Sequence, residues 1–315
     1  MWVIISHQYV VMLTSPSETS EYLKERGDNI SSKLIISGNL AVDTFFTISG
    51  LLLSYNFMTS RYEKICFSLL DHYIHRYTRL TVPYALTMLV VATVTLYLAE
   101  GPLWPLLVKS FQSPCQENWS SCLLYIQNYI DASKICIPQA WYIMADMQLF
   151  VTSPMVLFGL WKFTKIAIVL LGSCCLVSAL TGFYSIWRDN LPAVIHRTYL
   201  FDHESLLKVK MYYENYYAVP HTRASPWIVG IITGYLIFKV KRERRNLVIK
   251  RKYLFCFWLL CTAVLVACAF GSPRDLPDQE YNVFCNAFYA AFARPAWAFA
   301  IAMIILACAT NNAGN

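Results

Sequence analysis

Charge is scarce in this sequence. Only 14% of its 315 residues are Asp, Glu, Lys or Arg, whereas roughly a quarter are charged in an ordinary soluble domain. Because 57% of the residues are hydrophobic, the composition argues against a soluble enzyme and excludes a disordered chain. Gly and Pro, at 11 and 13 residues, are also too few for a collagen-like or low-complexity chain.

Two common catalytic and metal-binding signatures are absent as well. No Cys-x-x-Cys pair occurs among the 11 cysteines, so a zinc site is unsupported. His72 and His75 lie three residues apart, but the sequence offers them no further ligand. No Gly-x-Ser-x-Gly motif is present, which leaves a serine hydrolase unsupported. We therefore expect no metal cofactor.

Long apolar runs take the place of these motifs. A membrane helix needs about 20 mostly apolar residues, and seven runs qualify, the one at residues 220–240 provided that Arg223 lies near the membrane surface. A shorter run at residues 1–13 fits the outer part of a further span, which we count as the first of eight. The seven full runs are residues 34–60, 80–98, 135–161, 166–187, 220–240, 253–273 and 281–315.

These runs define the predicted fold class. We predict an all-α polytopic transmembrane helix bundle of about eight spans, which forms a single domain over residues 1–315. The first run begins in mid-span, and the chain stops just after the last run. We therefore expect the domain to be truncated at both ends.

Basic residues indicate how the bundle is oriented. Lys and Arg concentrate in the short loops after the second, fourth and sixth spans, above all at residues 239–252, which predicts that these loops are cytoplasmic. The N-glycosylation acceptors Asn29 and Asn118, and the acidic stretch 275–280, fall in the opposite loops. The net charge of +7 therefore reflects membrane topology, and membrane lipids rather than nucleic acid are the expected partners. We expect a multi-pass protein of the plasma membrane or endoplasmic reticulum.

Three cysteines share the predicted outer loop at residues 101–139. Cys115, Cys122 and Cys136 lie on the side where disulfides can form. Since three is an odd number, at most one pair closes within this loop. We predict a Cys115–Cys136 disulfide, with Cys122 as the alternative partner.

Three ionisable residues interrupt the apolar runs. His7, Asp43 and Asp146 each lie about 10–13 Å inside the predicted outer ends of their spans, at about 1.5 Å per residue. An ionisable residue within a span costs at least about 2.5 kcal/mol and marks a candidate functional site. We expect a shared pocket; the alternative is that the three groups make separate polar contacts between helices.

A pair of arginines precedes the third predicted span. Arg76 and Arg79 are three residues apart, so both lie on one side of a helix end. Their planar guanidinium groups suit a phosphate or diphosphate. They suit the anchoring of the helix to lipid head groups equally well.

Gly230 and Gly234 are separated by three residues in the sixth predicted span. Small residues at this spacing form a strip on one side of a membrane helix, where the backbone of another helix approaches closely. We therefore predict that this span packs tightly against another helix.

Five segments occur in the order known from one family of membrane proteins. They are Trp2-Val-Ile-Ile-Ser-His7, Gly38-Asn-Leu-Ala-Val-Asp-Thr-Phe-Phe-Thr-Ile-Ser-Gly50, His75-Arg-Tyr-Thr-Arg-Leu-Thr-Val-Pro-Tyr84, Trp141-Tyr-Ile-Met-Ala-Asp-Met-Gln148 and Arg223-Ala-Ser-Pro-Trp-Ile-Val-Gly230. In these segments the chain resembles the membrane acyltransferase-3 family, and the last two resemble its nose-resistant-to-fluoxetine branch. The likeness extends over nearly the whole chain.

The resemblance implies an activity and roles for the residues already singled out. It implies transfer of an acyl group from a cytosolic donor, acyl-CoA as co-substrate, to an acceptor hydroxyl. His7 would act as the catalytic general base, with Asp43 and Asp146 supporting the catalytic pocket. Arg76 and Arg79 would bind the donor.

The chain also departs from the family pattern. The family places a basic residue well before its histidine, whereas here the histidine is already the seventh residue. Two alternatives to the enzyme therefore stay open. One is a multi-pass lipid or drug transporter or carrier that uses the same polar residues as a binding site, and the other is an inactive remnant of the enzyme.

Overall fold

The predicted all-α architecture is confirmed. The computed structural model describes residues 1–14, 30–102, 104–195, 203–243, 251–273 and 282–310, and in these ranges the chain contains helices but no strand. The helices are α1 Trp2–Thr14, α2 Ile30–Ile36, α3 Asn39–Tyr62, α4 Leu69–Thr93, α5 Trp104–Leu123, α6 Gln127–Ile130, α7 Trp141–Lys162, α8 Thr164–Arg188, α9 His203–Tyr212, α10 Pro220–Arg242, α11 Arg251–Phe270 and α12 Val283–Ala309.

The helices match the predicted membrane spans. Within the described residues, five helical segments are long and apolar enough to cross a membrane: Lys33–Tyr62, Pro138–Lys162, Thr164–Arg188, Tyr253–Phe270 and Val283–Ala309. α4 and α10 carry more charge, but their 25 and 23 residues also suffice in length. α1, with 13 residues, is about 20 Å long, as expected for part of a span.

α3 and α10 form the centre of the bundle. α10 packs against α3, α7, α8 and α12, and more than half of its residues are buried. A Cβ atom at Gly230 would collide with the carbonyl oxygen of Thr47, and one at Gly234 would collide with that of Leu51. The predicted close packing is therefore confirmed, and α3 is the partner helix.

Two boundaries differ from the prediction. The third span begins at Leu69 rather than at residue 80, and the Ser68 hydroxyl caps it by accepting a hydrogen bond from the Asp71 amide. The outer loop at residues 101–139 contains the 20-residue helix α5, which packs on α4. Because α4 and α5 contain polar side chains, which interrupt an apolar run, hydropathy did not reveal the full length of either helix.

The Cys115–Cys136 disulfide is present. Its Cα atoms lie 4.2 Å apart, just below the expected range of about 4.4–6.8 Å. Cys122, the alternative partner, is buried and is not part of a disulfide. The bond ties α5 to the segment that leads into α7.

Removing this disulfide should destabilise the outer part of the bundle. The bond joins residues 21 positions apart, and closing a loop of that size is worth about 3 kcal/mol in the chain-entropy account. We expect Cys115→Ser and Cys136→Ser to lower the melting temperature equally. Cys66→Ser, at an exposed cysteine, is the control, and equal melting temperatures for all three variants would contradict the prediction.

Some of the topology signals lie outside the described residues. These are Asn29, the acidic stretch 275–280 and residues 244–250 of the basic cluster. Asn118 lies on α5, where its side-chain amide donates a hydrogen bond of 3.3 Å to the Pro114 carbonyl. The orientation of the bundle and the glycosylation of both acceptors stay predictions.

Candidate functional site

The bundle buries an ion pair between α3 and α10. Arg223 Nη1 donates a hydrogen bond of 2.9 Å to Asp43 Oδ1, and both side chains are 1% exposed. Arg223 is thus buried inside the bundle three residues after the start of α10, and its placement near the membrane surface stays a prediction. The close approach of the two helices at Gly230 brings these residues together, because Asp43 and Arg223 lie near the same end of the helix pair.

Aromatic rings and a backbone carbonyl enclose the Arg223 guanidinium. Its Nε donates to the Tyr217 carbonyl at 3.0 Å. Its central carbon lies 4.4 Å from the Tyr217 ring centroid and 4.8 Å from that of Trp141, which is a cation–π arrangement. Arg223 Nη2 and Asp43 Oδ2 remain buried without a hydrogen-bond partner. The ion pair therefore has a single hydrogen bond and is not bidentate.

A second ion pair lies between α4 and α7. Arg76 Nη2 pairs with Asp146 Oδ2, and the Ser49 hydroxyl donates to Asp146 Oδ1 at 2.7 Å. The Arg76 side chain is 24% exposed, compared with 7% for Asp146. Arg76 lies seven residues into α4, about 10 Å from the start of that helix.

One aromatic ring supports Arg76 and a neighbouring histidine. The Arg76 guanidinium carbon lies 4.3 Å from the Phe150 ring centroid. The His72 ring stacks on Phe150 with centroids 4.2 Å apart, and His72 Nε2 lies 3.3 Å from Ser153 Oγ. Arg76 and His72 are one helical turn apart, so α4 presents both to the same part of α7.

α3 and α7 contribute to both ion pairs. On α3, Asp43 belongs to the first pair and Ser49 to the second; on α7, Trp141 belongs to the first and Asp146 to the second. The two residues on α3 are six positions apart and the two on α7 are five positions apart, which corresponds to roughly 8–9 Å along a helix. The two pairs are therefore successive polar layers inside one bundle.

His7 is not joined to either layer. Its side chain is exposed on α1. The neighbouring Ser6 packs against Gly38 at the start of α3, about one to two helical turns before Asp43. Among the described residues no hydrogen bond to the His7 ring is present, so neither carboxylate orients it. The structure thus brings Asp43 and Asp146 into one bundle, each with its own arginine, and leaves His7 at the edge.

Arg79 also stays apart from the ion pairs. Its side chain is exposed on α4, one turn after Arg76. Arg76 and Arg79 therefore differ in environment, because one is held by a carboxylate inside the bundle and the other faces outward.

A polar cavity of about 570 Å³ opens at the end of the bundle where α8 ends and α10 begins. It is lined by Asp131, Arg188, Lys210, Glu214 and His221, among others, and by none of the five predicted site residues. Hydrogen bonds from Arg188 hold the pKa of the neighbouring Asp189 below its usual range. Lys210 pairs with Glu214, and Arg188 and Asp131 each pair with a residue next to the cavity.

The described residues provide no group of three or more His, Cys, Asp or Glu side chains that could hold a metal ion. The chemistry that the layers can offer is therefore that of positioned charges. A half-buried arginine held by a carboxylate can bind an anion, and an exposed histidine can exchange a proton with a bound partner.

Sequence reasoning missed Arg223 and Ser49 as members of the polar layers. Arg223 carried a signal, since an arginine in a run that is otherwise long enough to span calls for a buried acidic partner. Ser49 carried none, because a serine is unremarkable in a membrane helix.

Fold and site together define a multi-pass membrane protein with two buried arginine–carboxylate layers. The sequence profile of the acyltransferase-3 family, described as an acyltransferase domain, matches residues 1–314. The chain belongs to this family.

Two curated relatives come from Caenorhabditis elegans. "Nose resistant to fluoxetine protein 6" is 25% identical over 344 aligned positions, which cover 99% of this chain and 40% of the relative. "Regulator of hypoxia-inducible factor 1" is 22% identical over 259 positions, which cover 76% of this chain and 49% of the relative. The chain thus spans less than half the length of these relatives. No solved structure matches it.

Proposed function

We propose that this chain forms the membrane-embedded core of an acyltransferase that moves an acyl group from acyl-CoA to a hydroxyl-bearing acceptor. The observation that carries the proposal is the family match over residues 1–314. The buried polar layers support it, because they lie on segments through which the chain resembles the family.

Arg76 and Arg79 are the proposed donor-binding residues. The diphosphate of the donor suits guanidinium groups, which donate several hydrogen bonds in one plane. Asp146 and Ser49 position Arg76, while the 24% exposure of Arg76 leaves part of its guanidinium open to a ligand. Arg79 is exposed one turn further along α4 and would add a second positive charge.

His7 is the proposed general base. In the transfer step, the imidazole accepts the proton of the acceptor hydroxyl while the hydroxyl oxygen bonds to the thioester carbonyl carbon. The carbon–sulfur bond then breaks, and the coenzyme A thiolate leaves and takes up a proton. The exposed ring on α1 is accessible to an acceptor. Asp43 lies too deep to touch the reacting atoms, so its proposed part is to hold α3 and α10 together beneath the site.

The test of this proposal is acyl-CoA consumption by the purified protein with and without His7. General-base catalysis contributes about 10²–10⁴-fold. We therefore expect His7→Ala to lower the rate of thiol release at least about 100-fold while the protein remains folded.

His221→Ala is the matched control. His221 is also an exposed histidine, but it lines the cavity at the start of α10, so its loss should leave the rate unchanged. Equal rates for the His7→Ala variant and the unmodified protein would remove His7 from the mechanism. Arg76→Ala should instead raise the KM for acyl-CoA, which separates donor binding from proton transfer.

One observation favours a second candidate, a lipid or drug transporter or carrier. No carboxylate among the described residues orients His7, whereas a binding site in a carrier needs only buried charges near the middle of the membrane. The same assay separates the two candidates. A carrier would bind or move a lipid in vesicles without releasing thiol from acyl-CoA.

A further inference from the structure

Arg294 lies inside the bundle, and none of the described residues is an acidic partner for it. It is near the middle of α12 and is 6% exposed, and its guanidinium carbon lies 3.9 Å from the Tyr216 ring centroid. Its Nη1 atom is buried without a hydrogen-bond partner. Among the described residues its side chain forms no ion pair and no hydrogen bond. Its contact with the Tyr216 ring is a cation–π interaction.

Arg294 is close to the first ion pair. The Arg294 guanidinium lies over the ring of Tyr216, and the Arg223 guanidinium lies over the ring of the next residue, Tyr217. One turn after Arg294, the Trp297 indole donates a hydrogen bond of 2.8 Å to the hydroxyl of Thr44, the residue next to Asp43. Both arginines and Asp43 therefore belong to one buried region.

Among the described residues, positive charge exceeds negative charge in this region. It contains two guanidinium groups but one carboxylate, that of Asp43, and Arg223 uses only one terminal nitrogen on it. The tyrosines do not balance the difference, since burial raises the pKa values of Tyr216 and Tyr217 and keeps both phenols neutral. An arginine without a counter-charge is unfavourable in a site from which water is excluded.

We propose that Arg223 and Arg294 form a binding site for the oxyanion head group of an amphiphile, which is a phosphate or a carboxylate on an alkyl chain. The anion supplies the missing negative charge, and the partnerless nitrogens Arg223 Nη2 and Arg294 Nη1 donate hydrogen bonds to it. The alkyl chain suits the surroundings, because Ala290, Ala291 and Trp297, which lie within about one turn of Arg294 on α12, are buried and apolar. This site does not depend on acyl transfer and is separate from the one at Arg76.

The test uses three ligands with the same twelve-carbon chain. Dodecyl phosphate, dodecanoate and dodecanol differ only in head group, and binding to the purified protein is measured in a neutral detergent by native mass spectrometry and by the ligand-induced shift in melting temperature. We expect at least one of the two anions to bind at least tenfold more tightly than dodecanol and to raise the melting temperature. Tighter binding of the phosphate assigns the site to a phosphate head group, and tighter binding of dodecanoate assigns it to a fatty acid.

Variants of Arg294 complete the test. Arg294→Gln should lower the anion affinity at least tenfold and abolish the shift in melting temperature, with dodecanol binding unchanged, while Arg294→Lys should retain part of the affinity. Arg188→Gln, which removes an exposed arginine paired with Asp189, should leave the affinity unchanged.

A merely structural role for Arg294 predicts a different pattern. Arg294→Gln would then lower the melting temperature of the ligand-free protein and leave anion binding as it was. That result, or equal binding of the anions and dodecanol to the unmodified protein, would overturn the proposal. Neither measurement involves acyl-CoA, so the outcome is independent of the proposed transferase activity.

Discussion

Replacing Asp43 by Asn should lower the free energy of unfolding by about 3–5 kcal/mol, because it leaves the Arg223 guanidinium buried without its counter-charge. Both side chains are 1% exposed, and the pair lies between the two helices at the centre of the bundle. Detergent-solubilised protein should therefore melt at a markedly lower temperature, or accumulate poorly in the membrane.

Two variants separate the loss of pairing from other effects of the substitution. The double variant Asp43→Asn/Arg223→Gln removes both charges, so it should be more stable than Asp43→Asn alone. Asp131→Asn breaks an ion pair with Lys134, whose side chain is 59% exposed, and should change the stability by no more than about 1 kcal/mol. If Asp43→Asn and Asp131→Asn had similar melting temperatures, the buried pair would not stabilise the bundle as proposed.

The second large effect is expected for Gly230→Ala. The added methyl group would meet the backbone carbonyl of Thr47, and a backbone atom cannot rotate away as a flexible side chain can. α3 and α10 would have to move apart, which also pulls Asp43 away from Arg223. We expect a loss of about 3 kcal/mol, measured as a lower melting temperature in detergent.

Gly172→Ala is the matched control for this prediction. Gly172 is also within a membrane helix, α8, but apart from its chain neighbours and the surrounding backbone of α8 itself no atom would lie within 4 Å of a Cβ placed there. Alanine forms helices better than glycine by about 1 kcal/mol, so this variant should be as stable as the unmodified protein or more so. Equal destabilisation by both substitutions would show that helix propensity, rather than helix contact, determines the result.

Hydropathy predicted the bundle well where helices face lipid and poorly where they do not. The apolar spans were found because such helices need side chains that lipid tolerates. Residues 69–79 were assigned to a loop because they contain His72, Arg76 and Arg79, although they form the first turns of α4. A helix whose first turns carry several charged side chains resembles a loop to any measure that averages hydropathy over a segment.

The polar layers were predictable only in part. Asp43 and Asp146 were identified because an ionisable group in an apolar run needs a special environment. Their partners are 180 and 70 residues away in sequence, and no local pattern links such distant positions. The predicted shared pocket with His7 assumed that equal depth means contact, whereas the direction of each side chain around its helix decides which groups meet.

The sequence separation within the first ion pair has a consequence for biosynthesis. At about 5–20 residues per second, the ribosome needs roughly 9–36 s to add the 180 residues between Asp43 and Arg223. During that time α3 has left the ribosome with an unpaired carboxylate, while Arg76 and Asp146, only 70 residues apart, can already meet. The newly made α3 must therefore wait at the membrane insertion machinery, or be shielded by other helices, until α10 arrives. A nascent chain arrested before residue 220 would contain the second polar layer but not the first, and it should be a preferred target of membrane quality control.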